Sequence, residues 1–391
     1  MRIGIDASCW WNRRGFGRFT RGLLPAMFAA PHAHCYYLFV DQSPEPEMIH
    51  ANVTLIEVNV GRAVTKSAVA HDHRSLRDVC AFSRAVASKS LDVMFFPAVY
   101  SWFPVGWRVP TVVTLHDAIA EHFPRLVFAN WTGRLLWSLK MRLACQRATG
   151  IITVSNAAKR EIVDYIGLKP EQIDVICEGV DPCFHPVTVD ELRATARRGA
   201  GIPPDGRLVL YVGGIAPHKN LANLLTGFAE IASGVPDLRL AFVGDPGGEG
   251  FYSNYQDLLA RAESHAVLRG RVHFTGFVAD DDLAALYSDA LALVLPSFSE
   301  GFGLPALEAI SCGTPVLASR SGAVAEVIGA AGLTFDPHNS SEIGQQIWRL
   351  ANEPTTLSTL RLRAVERARD YTWSKAAELT LRSLERCAGT S

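Results

Sequence analysis

Residues 296–309 read PSFSEGFGLPALEA and directly follow the apolar run ALALVL at 290–295. An apolar run without strict alternation is typical of a parallel strand that is buried on both faces. Pro305 suits the first position of a helix, and the glycines before it free the backbone of the preceding loop. The stretch therefore predicts a buried strand, a tight loop and a helix, which is the repeating unit of an α/β fold.

Two carboxylates flank the start of this predicted helix. Glu300 closes the loop, and Glu308 lies about one turn into the helix, on a face that can return to the loop. Acids also occur near helix starts simply because they match the positive end of the helix dipole. Chance is a poor explanation here, because the acids occur together with two glycines, a proline and a buried strand. One carboxylate can accept hydrogen bonds from ribose hydroxyls, and the other can orient the hydroxyls of a sugar.

The same order of strand, loop and helix repeats along the chain. Strands are predicted at 2–6, 36–41, 53–58, 92–96, 111–115, 150–154 and 173–177, and then at 207–212, 238–243, 271–275, 290–295 and 315–318. Helices are predicted at about 18–30, 74–88, 125–148, 155–166, 220–233, 252–267, 281–288 and 305–312, with more from about 340 onward. Repeated βαβ order predicts two doubly wound, Rossmann-like α/β domains.

The boundary between these domains is predicted near 178–206, where EGVDPCFHPV and GIPPDG supply glycine and proline. We expect domains at 1–183 and 184–371, and a final helix at 372–391 that packs back on the first domain. The two sheets should face each other across a cleft. Ligands of open α/β sheets bind at the carboxyl ends of the strands, and both sets of ends should line that cleft.

Composition limits the class of protein further. The chain has 391 residues, 48% of them hydrophobic, and a net charge of −1, which argues against a general nucleic-acid binder. Its eight cysteines are scattered without a CxxC pair, as expected for reduced thiols. The first residues, MRIGIDAS, predict a buried strand rather than a signal peptide, and no apolar run approaches the ~18–20 residues that span a bilayer. We expect a soluble, cytoplasmic protein.

The loop at 7–18 follows the first predicted strand and contains a GxG turn. Gly15 and Gly17 permit close approach to the backbone, and the next helix offers free N–H groups to an anion such as a diphosphate. Such a turn more often only connects a strand to a helix and binds no ligand. The cations Arg13, Arg14 and Arg18 favour contact with an anion.

A second loop, GGIAPHKN at 213–220, follows the predicted strand LYV. Lys219 is expected in the first turn of the next helix, where a lysine is unfavourable against the helix dipole. A cation in that position indicates a negatively charged ligand. The alternative is an ordinary solvated lysine on the surface.

These motifs together resemble the family 4 retaining glycosyltransferases, which have the GT-B fold. The resemblance covers nearly the whole chain. It rests on GFGRFT near the start, TLHD at 114–117, TVSNAAKREI at 153–162, EGVD at 178–181, YVGG with HKN, FTGF at 274–277, and SEGFGLPALEA with CGTPVLAS. The stretch from Glu300 to Glu308 matches the E-x7-E signature of that family. The chain is most similar to a mannosyltransferase-like subgroup of bacterial surface polysaccharide assembly.

The resemblance implies a role for each matching position. The first domain would bind the acceptor and the second the nucleotide sugar. Glu308 would bind the ribose, Lys219 the diphosphate, and Glu300 the transferred sugar, beside which His116 would lie near the reaction centre. The remaining donor contacts would come from Gly15 and Gly17 in a loop over the phosphates, from the backbone of Gly301, Phe302, Gly303 and Leu304, and from residues around Phe277 near the base.

Gly214 departs from the pattern of many family members, which have an arginine there to bind the diphosphate. His218 or Arg18 could compensate for that missing charge. The subgroup resemblance favours GDP-mannose as the donor, then a UDP-hexose, with a glycan or lipid-linked hydroxyl as the acceptor. No cofactor and no metal are expected, because helix N-termini and Lys219 can neutralise the diphosphate.

Two acidic or histidine-rich stretches do not predict a metal site. Adjacent side chains diverge in HDH at 71–73, and the three aspartates at 280–282 suit a helix N-terminus. The segment 125–160 is more informative, because it has seven basic residues, no acid, and interleaved Trp and Leu. It is either a core-packed helix with a solvated basic face or a surface for anionic lipid or a lipid diphosphate on the inner face of the cell membrane.

Other functions fit the sequence less well. A GT-B epimerase or a phosphorylase lacks the SEGFGLPALEA context. A nicotinamide oxidoreductase would need a GxGxxG motif after a strand and an acid for the ribose, and neither occurs at the expected place. A non-catalytic partner of another transferase would not need to retain His116, Lys219, Glu300 and Glu308 together.

Overall fold

The computed structural model describes residues 1–12, 15–61, 74–128, 130–245 and 253–389. Within it the chain forms two compact units. The first unit comprises Met1–Gly179 and Thr372–Ser391, and the second comprises Val180–Tyr371. The first boundary falls at Gly179, slightly before the residue 183 expected from the sequence.

The first unit contains a parallel sheet of seven described strands in the order β3-β2-β1-β4-β5-β6-β7. The strands are β1 (Arg2–Asp6), β2 (Cys35–Val40), β3 (Val53–Glu57), β4 (Val93–Phe96), β5 (Thr111–Thr114), β6 (Gly150–Thr153) and β7 (Ile173–Val175). All residues of β4, β5 and β6 are buried, which explains their unbroken apolar runs. Strand order reverses between β1 and β4, and this is the switch point where doubly wound sheets bind ligands.

The helices of the first unit differ from the sequence prediction, which did not include the short helix at 119–122. They are α1 (Gly15–Ala29), α2 (Leu76–Ala87), α3 (Ile119–His122), α4 (Pro124–Val127), α5 (Trp131–Arg147) and α6 (Asn156–Glu161). The single helix expected at 125–148 is two helices, because extended Asn130 caps α5 by accepting a hydrogen bond from the Gly133 N–H at 2.8 Å. After α6 the chain continues as a π-helical turn, Ile162–Ile166, which ends at left-handed Gly167.

The second unit contains a parallel sheet of six described strands in the order β10-β9-β8-β11-β12-β13. The strands are β8 (Arg207–Val212), β9 (Leu238–Val243), β10 (Val272–Gly276), β11 (Ala292–Leu295), β12 (Val316–Ser319) and β13 (Gly332–Phe335). Its helices are α7 (Asp190–Gly199), α8 (Leu221–Ala232), α9 (Tyr255–Ser264), α10 (Asp280–Asp289), α11 (Leu304–Ser311), α12 (Ala323–Ile328), α13 (Ser340–Asn352) and α14 (Pro354–Ala368). Three of these elements, α7, α12 and β13, were not predicted from the sequence.

The last helix, α15 (Trp373–Ala388), belongs to the first unit. Trp373 packs so closely that a Cβ on Gly22 would lie 2.1 Å from its ring, and one on Gly179 would lie 2.3 Å from its main-chain nitrogen. Further along α15, the Ser383 hydroxyl donates to the Asp174 carboxylate at 2.6 Å. The chain therefore returns to complete its first unit. In the described part of the chain, no helix is long and apolar enough to cross a lipid bilayer.

Candidate functional site

The second sheet reverses its strand order at β8, whose neighbours are β9 on one side and β11 on the other. The loops that follow β8 and β11 therefore meet at the switch point, where open α/β sheets bind their ligands. These are the loops at 213–220 and 296–303, which the sequence had singled out. The structure brings two charged side chains of these loops together.

Lys219 and Glu300 form an ion pair across these two loops. The Lys219 ammonium donates to Oε1 of Glu300 at 2.7 Å, and the Ser297 hydroxyl donates to the same oxygen at 2.7 Å. The Lys219 side chain is 19% exposed and that of Glu300 is 18% exposed, so a ligand can still reach the pair. Burial alone would raise the pKa of Glu300, but the charge and hydrogen bonds of its partners outweigh burial and lower the pKa. Glu300 is therefore an anion at neutral pH.

Asn220 holds these two loops close to each other. It adopts the left-handed conformation, with φ of 58°, immediately before α8. Its side-chain amide donates to the carbonyl of Pro296 at 3.0 Å and to that of Pro337 at 2.6 Å. Lys219 ends a short 3-10 turn, Pro217–Lys219, and lies outside α8. The prediction that Lys219 occupies the first helical turn is wrong, and its charge is offset by Glu300.

His218, the residue before Lys219, adds no full positive charge to this loop. His218 is 9% exposed, and burial, followed by the charge of Lys219, lowers its pKa to about 4. It is therefore neutral at pH 7 and cannot replace an arginine as a cation. Gly214 lies in the same loop with open space around it, since a Cβ there would meet no atom within 4 Å.

The segment from Gly301 to Leu304 offers its backbone rather than its side chains. Gly303, with φ of 94°, caps α11, and a Cβ on it would lie 2.7 Å from the Val324 side chain. Phe302 and Leu304 are only 4% and 7% exposed. Pro305 is the second residue of α11 rather than the first. Contact with a ligand through this segment must therefore be made mainly by main-chain atoms at the start of α11.

Glu308 lies inside the second unit, on α11. Its side chain is buried, at 3% exposure, and its Oε2 accepts a hydrogen bond from the Tyr287 hydroxyl at 3.0 Å. The structure thus places Glu308 and Glu300 among different polar partners. A ribose that binds Glu308 would have to share the carboxylate with Tyr287.

His116 lies in the first unit, after β5, where its ring is tightly held. Its Nε2 lies 2.9 Å from the Pro97 carbonyl oxygen, and its Nδ1 lies 3.5 Å from the Glu178 carboxyl group. A carbonyl oxygen can only accept, so Nε2 carries a proton. Burial raises the pKa of Glu178, and the hydrogen bond and charge of His116 offset only part of this rise. Both ring nitrogens therefore face protein groups, and the centre of the ring lies 4.8 Å from that of Phe19, with the two planes nearly perpendicular.

The glycines expected in a loop after β1 lie in the first turn of α1 instead. Gly15 begins that helix, and Gly17 packs so tightly that a Cβ on it would lie 1.9 Å from the Asn12 carbonyl oxygen. The structure gives Gly17 a packing role, and Arg18 lies half-buried on α1. Arg13 and Arg14 fall outside the described residues. Phe277, expected near the base, follows β10 and is 66% exposed.

The residues 280–282 begin α10, as the helix N-terminal interpretation predicted. The HDH stretch at 71–73 falls outside the described residues. Among the residues that are described, one group of side chains could hold a metal ion, namely His32, His34 and Glu385. All three residues belong to the first unit.

Reasoning from the sequence missed three residues that shape these sites. Ser297 and Asn220 orient Glu300 and its loop, and both directly neighbour residues that the motifs had emphasised. Glu178 is part of the quoted EGVD motif, but only the fold shows that it meets His116. All three lie in loops that follow strands of the sheets, and a polar residue in such a loop is the signal that could have found them.

Two family models match the chain with little left over. The model described as Glycosyltransferase Family 4 matches residues 14–183, and the model described as Glycosyl transferases group 1 matches residues 193–371. The chain belongs to the family 4 glycosyltransferases. The E-x7-E signature from Glu300 to Glu308 thus lies in the part that matches the group 1 model.

Named relatives agree with this assignment. The chain is 30% identical over 331 residues to a D-inositol 3-phosphate glycosyltransferase of Kribbella flavida, covering 78% of this chain and 74% of that one. It is 29% identical over 422 residues to the serotype-specific mannosyltransferase WbdA of Escherichia coli, covering 100% of this chain but 49% of WbdA. Several curated relatives are longer, and the alignments span about half to three fifths of their length.

A solved structure supports the fold across the full length. Sucrose-phosphate synthase from Thermosynechococcus elongatus has a TM-score of 0.77 at 21% identity, covering 100% of both chains. With the two parallel sheets, this likeness confirms the predicted α/β fold of the GT-B class.

Gly214→Arg should strengthen the binding of nucleoside diphosphates, because it adds a cation to the loop that carries Lys219 and has room for a side chain. A charged hydrogen bond of about 1.5–3 kcal/mol would tighten the dissociation constant by roughly 10- to 100-fold, measured by calorimetry with GDP and UDP. Gly199→Arg, at an equally open position at the end of α7, is the matched control and should leave the affinity unchanged. Equal affinities of both variants would show that this loop does not meet the diphosphate.

Proposed function

We propose that this protein is a retaining hexosyltransferase that transfers mannose from GDP-mannose to a hydroxyl of a glycan or lipid-linked acceptor. The observation that carries the proposal is the Lys219–Glu300 ion pair at the switch point of the second sheet. The pair combines a cation for a diphosphate with an anion for sugar hydroxyls, next to the N-terminus of α11.

The second unit would hold the donor. Lys219 uses one of its three N–H bonds for Glu300, so the others can donate to the diphosphate while the pair stays intact. Ser297 and Lys219 both donate to Oε1 of Glu300, which leaves Oε2 to accept from a hydroxyl of the sugar. The main-chain N–H groups before α11 add positive potential at the leaving group. Glu308 would accept from the ribose hydroxyls beside Tyr287.

The first unit would supply His116 and the acceptor. Because both nitrogens of the His116 ring already face Pro97 and Glu178, we assign its contact with the sugar to the main-chain carbonyl, which can stabilise positive charge at the anomeric carbon. In the transfer, the bond from the anomeric carbon to the diphosphate oxygen breaks, and a bond to the acceptor oxygen forms on the same face. The acceptor proton passes to the departing phosphate, so the enzyme contributes positioning and charge stabilisation.

Mannose is proposed as the sugar because the likeness to WbdA extends over the whole chain. A UDP-hexose is the second candidate for the donor. A GT-B epimerase would interconvert the donor without needing an acceptor, and a non-catalytic partner would turn over none. No cofactor or metal is proposed for the reaction, because Lys219 and the start of α11 can neutralise the diphosphate.

A thermal-shift screen against GDP-, UDP- and ADP-sugars should single out GDP-mannose, because a ligand that binds only the folded state raises its stability by mass action. Donor hydrolysis should then occur with the same nucleotide sugar and should persist in EDTA.

Lys219→Ala should lower this turnover by about 10²–10³-fold, as expected for losing one preorganised electrostatic contact. If only UDP-hexoses stabilise the protein, the donor is a UDP-hexose and not GDP-mannose. If EDTA abolishes turnover and only magnesium or manganese restores it, the metal-free mechanism is wrong.

Helix α5 is also proposed to dock on an anionic membrane surface. It exposes apolar side chains together with Arg134 and Arg142, whereas Trp137 and Met141 are buried. The exposed apolar residues are Trp131, Leu135, Leu136, Leu139 and Leu143, between 41% and 74% exposed. Exposed apolar groups beside cations are typical of helices that lie in a lipid interface. Fewer of the expected cations are free at the surface, however, because Lys140 and Lys159 are half-buried and donate to backbone carbonyls.

Binding to liposomes that contain anionic lipid should fall when Leu135 and Leu139 are both changed to serine, because the apolar face of α5 is interrupted. Salt should also weaken binding, since the screening length falls to about 8 Å at physiological ionic strength. The matched control changes Leu192 and Leu362, exposed leucines of the second unit, to serine and should bind normally. Equal co-sedimentation of both variants with anionic vesicles would contradict membrane docking through α5.

A further inference from the structure

Two histidines and a glutamate that are far apart in sequence meet at the surface of the first unit. His32 and His34 lie between α1 and β2, and Glu385 lies in the last turn of α15. One ligand atom of each side chain lies within 4.8 Å of the other two. The two imidazole rings are nearly parallel, with their centres 5.4 Å apart, and Nε2 of His34 lies 3.1 Å from Oε1 of Glu385. The fold thus brings three side chains that can bind a metal to one place.

The spacing of these atoms is close to that of ligands around a zinc ion. Zinc binds imidazole nitrogen and carboxylate oxygen at about 2.0–2.2 Å in tetrahedral geometry, so neighbouring ligand atoms lie roughly 3.3–3.5 Å apart. His34 and Glu385 are already close to this separation, at 3.1 Å. The remaining adjustment, at most about 1.5 Å, falls to His32, whose side chain is exposed and can rotate.

The cluster combines a fixed ligand with two ligands that solvent can reach. The His34 side chain is 10% exposed, whereas that of Glu385 is 44% exposed and His32 is also exposed. The second nitrogen of His34, Nδ1, lies 3.4 Å from the Met1 amino group. Because this distance is longer than an ordinary hydrogen bond, little is lost when Nδ1 keeps the proton and Nε2 binds a metal.

We propose that His32, His34 and Glu385 bind a zinc ion that clips the end of α15 to the segment before β2. Imidazole nitrogen together with a carboxylate suits zinc and neighbouring transition metals, whereas magnesium and calcium prefer oxygen ligands. Three protein ligands leave the fourth tetrahedral position to water. The site is structural, because it uses none of the side chains assigned to the donor, the sugar or the acceptor.

The position of the site explains what the metal contributes. Ser383 and Arg386, on either side of Glu385, donate to Asp174 and hold this end of α15 to β7. The metal holds the same end to His34, which is 351 positions away in the sequence. A cross-link that closes a long loop restricts the unfolded chain more than one that closes a short loop. Zinc therefore stabilises the folded first unit and its C-terminal helix.

The test uses the full chain after treatment with a chelator and removal of that chelator. Zinc chloride should bind in calorimetry and raise the melting temperature, because it binds the folded state, and magnesium or calcium chloride should do neither. Zinc should also slow hydrogen exchange of the backbone amides in the last turns of α15. Cobalt in place of zinc should give the visible absorption of a tetrahedral site.

His32→Gln combined with Glu385→Gln removes two ligands at the surface, so this variant should fold normally. It should bind zinc at least about tenfold more weakly, since the loss of even an outer partner of a metal ligand costs 10–100-fold in affinity. The matched control is His265→Gln with Glu378→Gln, which changes an exposed histidine of the second unit and an exposed glutamate of α15. This control should bind zinc like the native protein.

Cys35→Ser is a second control, because Cys35 is an exposed thiol next to His34. It should leave the zinc affinity unchanged. The proposal is overturned if the native protein binds no zinc, if magnesium binds equally well, or if the His32 and Glu385 variant binds zinc like the control. Zinc binding that requires Cys35, or that leaves hydrogen exchange in α15 unaltered, would overturn it as well.

Donor binding and turnover separate this site from the proposed function. The His32 and Glu385 variant should keep the thermal shift with GDP-mannose and the native rate of donor hydrolysis. EDTA should lower the melting temperature of the zinc-loaded native protein without abolishing turnover. If the folded variant loses turnover, the site is not purely structural and that part of the proposal is wrong. If no nucleotide sugar binds the native protein but zinc does, the proposed function fails and the zinc site stands.

Discussion

The two loops at the switch point of the second sheet are joined by one electrostatic contact, the ion pair between Lys219 and Glu300. These residues are far apart in sequence, and they meet because β8 and β11 are neighbours at the reversal of strand order. Asn220 fixes the loops through two carbonyl contacts, and Ser297 orients the carboxylate. A lysine without this partner would be an unneutralised cation beside the N-terminus of α8, so the pair offsets that charge and joins the two loops.

The two sheets share one feature, a cation–acid pair beside the point where the strand order reverses. Each reverses its strand order beside a central strand, β1 in the first unit and β8 in the second, and each has a cation–acid pair there. The pair in the second unit is partly exposed, whereas Arg74 and Asp6, the pair in the first unit, are buried.

The sequence predicted the strands well where burial on both faces demands continuous apolar residues, as in β4 and β11. It missed β13, since residues Gly332–Phe335 are mostly half-buried and have no such run. It missed α7, because glycines and prolines on either side suggested a linker, although Asp190 and Glu191 match its N-terminus. Motifs located Lys219 and Glu300, but their pairing, like that of Arg74 with Asp6, depends on which strands become neighbours, and local sequence does not encode that order.

The most direct measurement is the affinity of intact GDP-mannose, by calorimetry, for the native protein, Lys219→Met, Glu300→Gln and the double variant. If the pair is the centre of the donor site, Lys219→Met should weaken binding by roughly 10- to 100-fold, corresponding to about 1.5–3 kcal/mol for a charged hydrogen bond. The two single effects should not add, because the residues contact each other. Folded variants that bind the donor as tightly as the native protein, or effects that add fully, would contradict the account.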